Sequence, residues 1–501
     1  MSRISFRSKE LENQISRRKA FLGPSLSTHY HNPILVERGR GTFLIDFRDQ
    51  AFLDFVNNPA SLGHCHPHVV RAAAEQLAQL NTNTRYVYAE LTDYAEQLTR
   101  LFPEKLHVCF FVNSGSEAND LALRIARAHT KAQDFIVMEG AYHGHTEELI
   151  KISPYKFDGK GGFPQPANVW KVPVPDMFRG DHRSDSNPAR SYALHVKTAL
   201  DKMKTSGKRP AAFICEGMLS TAGYHPLPPR YLKQVYELVR EEGGVCISDE
   251  VQSGFGRAGE GKMWGFELGD AVPDIVTLGK PMGNGFPLAA VVTTKELAAS
   301  FANGMEYFNT FGGSTAAMRV GQAVLEIRRK RDREEERRRA VGRHLKKELN
   351  KLRDRHECIG DVRGSGLFLG LEFVRDKSSC LPAPGLTTYV VEASRCRGLL
   401  LGSDGIHNNV LKIKPPLCLS RFPCLLLLLL LLPLPLLLLL LLRLRLRLPL
   451  LPLLHSVFLN NPLDVHLHHF VSSPRHPTPH FPPLRKRASG LDGHRLGRSA
   501  L

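Results

Sequence analysis

The segment ISDEVQSGFGR, residues 247–257, sets two acids, Asp249 and Glu250, directly behind the apolar run GVCIS at 244–248. Such a run reads as a buried strand, and a carboxylate where a buried strand ends is costly unless a cation or several donors meet it. Working outward, DIVTLGKPMGNGFPLAAVV at 274–292 ends a second apolar run in a single lysine, Lys280, followed by proline and glycines. The runs VCFFV (108–112), FIVME (135–139), AAFICE (211–216) and AAVVTT (289–294) repeat the pattern. Between them lie helical stretches such as 117–129 and 229–242. Strand and helix in alternation predict an α/β fold with a mostly parallel central sheet covered on both faces. Functional loops then belong at the carboxyl ends of the strands.

Flanking segments extend the plan. Residues 43–56 predict a strand pair, and 67–80 a helix with Pro67 at its start. Residues 326–355 predict one long charged helix with a solvated face, and 360–374 predict strands of a smaller α+β domain. The division expected is 1–55 as an N-terminal segment joining the small domain, 56–314 as the large domain, 315–420 as the small domain, and 421–501 as a tail.

The formal charge of +18 is uneven. Residues 328–356 hold 14 Lys and Arg against 6 acids, and 421–501 hold 10 against 2, so the rest is nearly neutral. These basic stretches lack interleaved aromatics and any nucleic-acid module, so no nucleic-acid partner is expected. Nine cysteines without a CxxC spacing predict reduced, mostly buried thiols in an intracellular compartment, cytoplasmic or mitochondrial. Residues 425–454 are almost wholly Leu, broken by Pro433, Pro435, Arg443, Arg445 and Arg447. That composition is unlike the mixed one of an evolved membrane span, so no genuine span is expected and 421–501 is read as not part of the working protein.

Four segments carry chemistry. In VNSGSEANDLALRIAR (112–127) the amides of Gly115 and Ser116 and the Ser116 hydroxyl suit a phosphate at a helix N-terminus; simple capping by Ser114 or Ser116 explains the motif equally well. AYHGHT (141–146) offers Tyr142 to the face of a flat ring. His143 and His145 lack a third ligand nearby, so no metal is expected and a hydrogen-bonded loop histidine is the better reading. Asp249 suits a protonated ring nitrogen, Gln252 a phenolic oxygen of the same ring, and Val251 its second face. Lys280, entering a crowded apolar pocket beside Gly279, loses proton affinity and becomes a nucleophile; a surface lysine on a glycine-rich loop is the alternative.

Together the segments NSGSEAND, AYHGH, SDEVQSGFGR, LGKPMGNG and NTFGGS resemble, in order and spacing, the class-III pyridoxal-5′-phosphate (PLP) aminotransferases over roughly residues 20–420. The resemblance implies the PLP-dependent transferase fold (fold type I), with Lys280 and Asp249 catalytic. It implies that Gly115 and Ser116 bind the PLP phosphate, that Tyr142 stacks, that Val251, Asp249 and Gln252 hold the ring, and that Lys280 forms the Schiff base. It also implies a homodimer in which Thr310 reaches the neighbouring subunit's phosphate.

GHCHP (63–67), LNTNTRYVY (80–88), ISPYKF (152–157), FRG (178–180), MEYFNTFGG (305–313) and VLKIKPP (410–416) resemble one branch, the phospho-lyases of O-phosphoethanolamine or 5-phosphohydroxylysine. Many aminotransferases of the class have an arginine matching Lys412 that forks onto a substrate carboxylate, a contact lysine cannot make. The expected substrate is therefore a small, phosphorylated amine, with Lys156, Arg179 and Lys412 as candidate contacts. Departures are Glu139-Gly140, where the branch has Asp-His, the segments NNPASLGH (57–64) and SGFGR (253–257), and the leucine tract after Pro416 in place of a packing helix. They leave open a transaminase acting on an ω-amine or amino acid, and an inactive relic that keeps the fold.

Ending the chain near Ser420 should leave PLP binding unchanged or improved, because every cofactor residue lies between Gly115 and Thr310. Soluble yield and PLP occupancy of full-length and truncated protein check this; loss of PLP binding on truncation would contradict it.

Overall fold

The computed structural model describes residues 2–329 and 332–420. After an N-terminal helix at Ser2–Phe21, three short strands, β1 (Val36–Arg40), β2 (Phe43–Asp46) and β3 (Ala51–Asp54), form an antiparallel meander. The central sheet is built from β4 (Val108–Val112), β5 (Asp134–Met138), β6 (Val169–Val172), β7 (Pro210–Glu216), β8 (Val245–Asp249), β9 (Ile275–Leu278) and β10 (Ala289–Thr293). Its order is β4-β10-β9-β8-β7-β5-β6, and β10 alone runs against the others. The link from β9 to β10, residues 279–288, is too short for the helical crossover a parallel return needs, so the chain comes straight back. The remaining strands share one direction, and their carboxyl ends form a single edge.

Alternate residues of each strand enter opposite faces. Phe135 and Val137 of β5 pack with Leu121, Ala122 and Ile125 of the helix Gly115–Thr130. Ile136 and Met138 pack on the other side with Val196 and Leu200 of Pro188–Thr205 and Val235 and Val239 of Tyr231–Glu241. With both faces covered, the strands are continuously apolar, which is why their sequence lacks a period of two.

The last strands are β11 (Ile359–Ser365), β12 (Phe368–Phe373), β13 (Leu399–Leu400), β14 (Gly402–Asp404) and β15 (Val410–Ile413). An antiparallel sheet of order β11-β12-β15-β14 lies beside the meander, to which β13 adds by pairing parallel with β3. The described residues of the span predicted helical, 326–355, are helical, in Thr315–Arg329, which begins before the predicted start, and Asp332–Arg355. The second is not purely solvated: Val341, Leu345, Leu349 and Leu352 enter a core with Leu369, Leu371, Leu411 and Ile413. Dense charge on its other faces conceals this stripe in the sequence.

Cysteines among the described residues are all free thiols, but only Cys215 and Cys246 are fully buried, whereas Cys65 and Cys396 are exposed. No described helix is long and apolar enough to cross a membrane. The tail at 421–501, with its leucine tract, lies outside the described residues.

The acid pair that ends β8 divides its roles. Glu250 is fully buried and accepts from the amides of Gly265 (2.7 Å) and Phe266 (2.8 Å) and from the hydroxyls of Ser253 (2.8 Å) and Ser248 (3.1 Å). It ties β8 to the turn at Gly265–Gly269 and is spent on structure. Glu250→Ala should cost about 2–4 kcal/mol by stranding several buried donors; urea unfolding checks this, and a loss near zero would contradict it.

Candidate active site

At the carboxyl edge of the central sheet the register sets Glu216 of β7 directly beside Asp249 of β8. Both are almost fully buried. Asp249 Oδ2 accepts from His143 Nδ1 (2.8 Å) and Asn119 Nδ2 (2.8 Å), and its Oδ1 from the Val251 amide (3.1 Å). Asn119 also donates to the His143 carbonyl (2.7 Å), so helix and loop brace each other and fix the carboxylate. Glu216 accepts from the amide of Ser220 (3.1 Å) and from its hydroxyl. Burial and then the neighbouring Asp249 raise the Glu216 carboxyl to about 7.

Lys280 follows β9 at the start of a 3-10 turn, Lys280–Gly283, with φ +24°, a strained conformation for a side chain of this size. Burial lowers the proton affinity of its amine, Asp249 and Glu216 oppose that, and Lys412 adds to it. Room around it depends on glycine: a Cβ at Gly115 would stand 2.7 Å from Val251 Cγ1, and one at Gly279 would stand 3.3 Å from the Gly115 backbone. Val251 thus packs on the turn that begins the helix Gly115–Thr130.

Ser114 caps that helix by accepting from the Glu117 amide (3.1 Å), and the Ser116 hydroxyl accepts from the His145 amide (3.1 Å). Of the two readings left open for this motif, capping by Ser114 is therefore realised. It does not use the amides of Gly115 and Ser116, which stand in the first turn, where a helix supplies no acceptor of its own. His143 is the hydrogen-bonded loop histidine expected, and its partner is Asp249. Tyr142 meets Tyr155 edge-on, ring centres 6.0 Å apart, with the Lys156 ammonium 5.6 Å and 5.5 Å from the two rings.

Gln252 donates from Nε2 to Ser220 Oγ (2.7 Å) and accepts at Oε1 from Lys414 Nζ (2.7 Å). Lys412 lies 3.6 Å from Asp404 Oδ1, and Asp404 Oδ2 accepts from the Tyr224 hydroxyl (2.9 Å). The structure thus gathers Gly115, Ser116, Tyr142, Lys156, Asp249, Val251, Gln252, Lys280 and Lys412 around one edge. Arg179 is turned elsewhere, onto Glu372 and the Cys380 carbonyl, in a cavity of about 230 Å³ with Asp176, His225 and Arg363. Thr310 is exposed on the loop before Thr315–Arg329. Its neighbour Asn309 accepts from Asn113 Nδ2 (3.0 Å), and Met305 and Phe311 beside it are about 70% exposed (71% and 70%).

Sequence reasoning missed Asn119, Glu216, Ser220, Asp404 and Lys414. Asn119 could have been found one helical turn after Gly115, and Lys414 two residues after Lys412, on the same side of an extended chain. Glu216 needed the β7–β8 register, which no local pattern contains.

The chain matches the class-III aminotransferase family over residues 25–424. It is 43% identical over 414 residues to an alanine–glyoxylate aminotransferase 2-like protein of Drosophila melanogaster, covering 81% of this chain and 83% of that one. It is 42% identical to ethanolamine-phosphate phospho-lyase homolog 1 of Caenorhabditis elegans, covering 82% and 90%. Among solved structures, an Arthrobacter phospholyase in complex with phosphoethanolamine superposes with a TM-score of 0.79 at 37% identity, covering 83% of this chain and 97% of that one. The chain belongs to the class-III aminotransferases and has their PLP-dependent fold, with PLP as cofactor. The residues present fit that group: a braced buried carboxylate for the ring nitrogen, a lysine of lowered basicity, and a glycine-lined helix start.

Glu216 gives a pH test on cofactor-free protein. Its folded value, about 7, lies above the ordinary 4.5, so the folded state keeps a proton that the unfolded chain releases, and stability should fall as pH rises from about 4.5 to about 7. Glu216→Gln should flatten this fall. Urea midpoints at several pH values check it; an equal slope in both proteins would contradict it.

Proposed function

We propose that this enzyme is a phospho-lyase that eliminates phosphate and ammonia from a small phosphorylated amine, O-phosphoethanolamine or 5-phosphohydroxylysine. The observation that carries the reading is Lys412, on β15 at the side of the site and close enough to act on Lys280. An arginine fork selects a planar carboxylate, whereas lysines serve a phosphate as point charges. The nematode relative and the Arthrobacter structure, whose names specify this chemistry, support it.

PLP, when bound, supplies an electron sink for the pair left at the carbon that bears the substrate amine. Lys280 holds the cofactor and, once its amine is free, takes the proton from that carbon; burial keeps the neutral amine accessible. Asp249, fixed by His143 and Asn119, keeps a proton on the pyridine nitrogen. Gly115 and Ser116 would hold the cofactor phosphate at the helix start, Tyr142 and Val251 would pack on its ring, and Gln252 would meet its phenolic oxygen. Lys412, with Lys156 above Tyr142, meets the substrate phosphate and stabilises the charge it carries away. Phosphate would leave the adjacent carbon with the electron pair of its C–O bond, Lys280 would displace the substrate nitrogen and take the cofactor back, and the freed enamine would be hydrolysed by water to aldehyde and ammonia. Thr310, on its exposed loop, completes the phosphate site of a second subunit, so the working unit is a homodimer.

A transaminase is the second reading, favoured by the aminotransferase name of the Drosophila relative. Incubation with phosphoethanolamine and no 2-oxo acid should release inorganic phosphate, and Lys280→Ala should abolish the release. Lys412→Met should raise KM about tenfold or more, since a charge-assisted contact is lost. Absence of phosphate release alongside amino transfer to a 2-oxo acid would establish the transaminase instead.

A further inference from the structure

Lys414 lies just past β15, before Pro415, and is 5% exposed. Its backbone amide donates to the Phe55 carbonyl (2.8 Å), which anchors the residue to the end of the meander. Its ammonium is 5.3 Å from the ring centres of both Tyr224 and Phe368 and reaches Gln252 Oε1 at 2.7 Å. Burial pulls the proton affinity of its amine down to about 7. In its protonated form the amine only donates, which orients the carboxamide of Gln252 with oxygen toward Lys414 and nitrogen toward Ser220. Gln252 Nε2 donates to Ser220 Oγ, and Ser220 passes its hydroxyl hydrogen to Glu216. One of the two Nε2 hydrogens is used in this chain, and the other remains for a second acceptor.

We infer that Lys414 is a positioning residue that acts through Gln252, fixing the carboxamide so that an N–H, rather than the carbonyl oxygen, is offered to the phenolic oxygen of PLP. The inference rests on the assignment of Gln252 to that oxygen. Without Lys414 the amide is free to turn over, and a carbonyl oxygen would then face the cofactor oxygen. A phenolic oxygen that loses its donor becomes more basic, and the imine proton it shares is held to higher pH. Other charged groups also bear on Lys414: Asp404 and Glu216 as acids, Lys412 and Lys280 as bases. They contribute through space, independently of the orientation of Gln252, which allows the two routes to be separated.

The test is a pH titration of the visible absorbance of bound PLP in holoenzyme carrying Lys414→Met, Gln252→Leu, both changes, or Lys414→Gln. Lys414→Met should raise the midpoint by about half a unit or more, the scale of one lost hydrogen bond to an ionised group. Gln252→Leu should raise it as well, and the double variant should rise no further than Gln252→Leu alone, because the two act through one contact. Lys414→Gln, which keeps a donor without the charge, should move the midpoint less than half as far as methionine does and serves where methionine is not tolerated. If the Lys414→Met shift persists undiminished in the Gln252→Leu background, or glutamine shifts the midpoint as far as methionine, the influence is through-space charge and the inference falls. If Gln252→Leu shifts the midpoint while Lys414→Met does not, the inference also falls with the assignment of Gln252 intact. No shift in Gln252→Leu would instead remove Gln252 from the phenolic oxygen.

Discussion

Two carboxylates brought side by side in the protein interior cannot both carry charge cheaply, and this constraint organises the site. The β7–β8 register places Glu216 beside Asp249, where burial and mutual proximity push the Glu216 carboxyl up to about 7. The protein then treats the two differently. Asp249 is braced by an imidazole and a carboxamide, with both contacts on one oxygen, whereas Glu216 is met by a single serine. In the proposed function the first is the carboxylate that would meet the ring nitrogen of PLP. Lys280 at this edge and Lys414 beyond β15 both feel the acids Glu216 and Asp404 and the cation Lys412, so charges of both signs oppose each other in the site.

This arrangement follows from the sheet. Parallel strands deliver their ends to one edge, and covering helices leave no side chain of β5, β7 or β8 facing water until the strand is over. Polar residues therefore collect where each strand stops. One short return, β9 to β10, sets Lys280 in a tight turn instead of a helix and holds its backbone at positive φ. The antiparallel sheet of β11, β12, β15 and β14 contributes Lys412 and Asp404, so the pocket is walled by two sheets with different topologies.

Much of this was legible in the sequence because the strands are short, apolar and separated by helices of ordinary length. The ends of β8 and β9 announced Asp249 and Lys280 for the same reason: an acid and a lysine placed after buried runs demand partners. What could not be read were contacts set by register and by distant chain crossings. His143 reaches an aspartate 106 residues away, and Gln252 meets a lysine 162 residues on. Arg179, whose FRG motif suggested a substrate contact, pairs in the structure with the buried acid Glu372, a partner its local sequence does not show. The stripe Val341, Leu345, Leu349 and Leu352 was hidden by the charge surrounding it, although its spacing is helical.

The account stands on Lys280 being the lysine that holds the cofactor, with Lys412 and Lys414 as neighbours of other function. Borohydride reduction of the holoenzyme, followed by proteolysis and mapping of the pyridoxyl-bearing peptide, tests this directly. The label should lie on the peptide containing Lys280 and on no other; a label on Lys412, Lys414 or any other lysine would contradict the account.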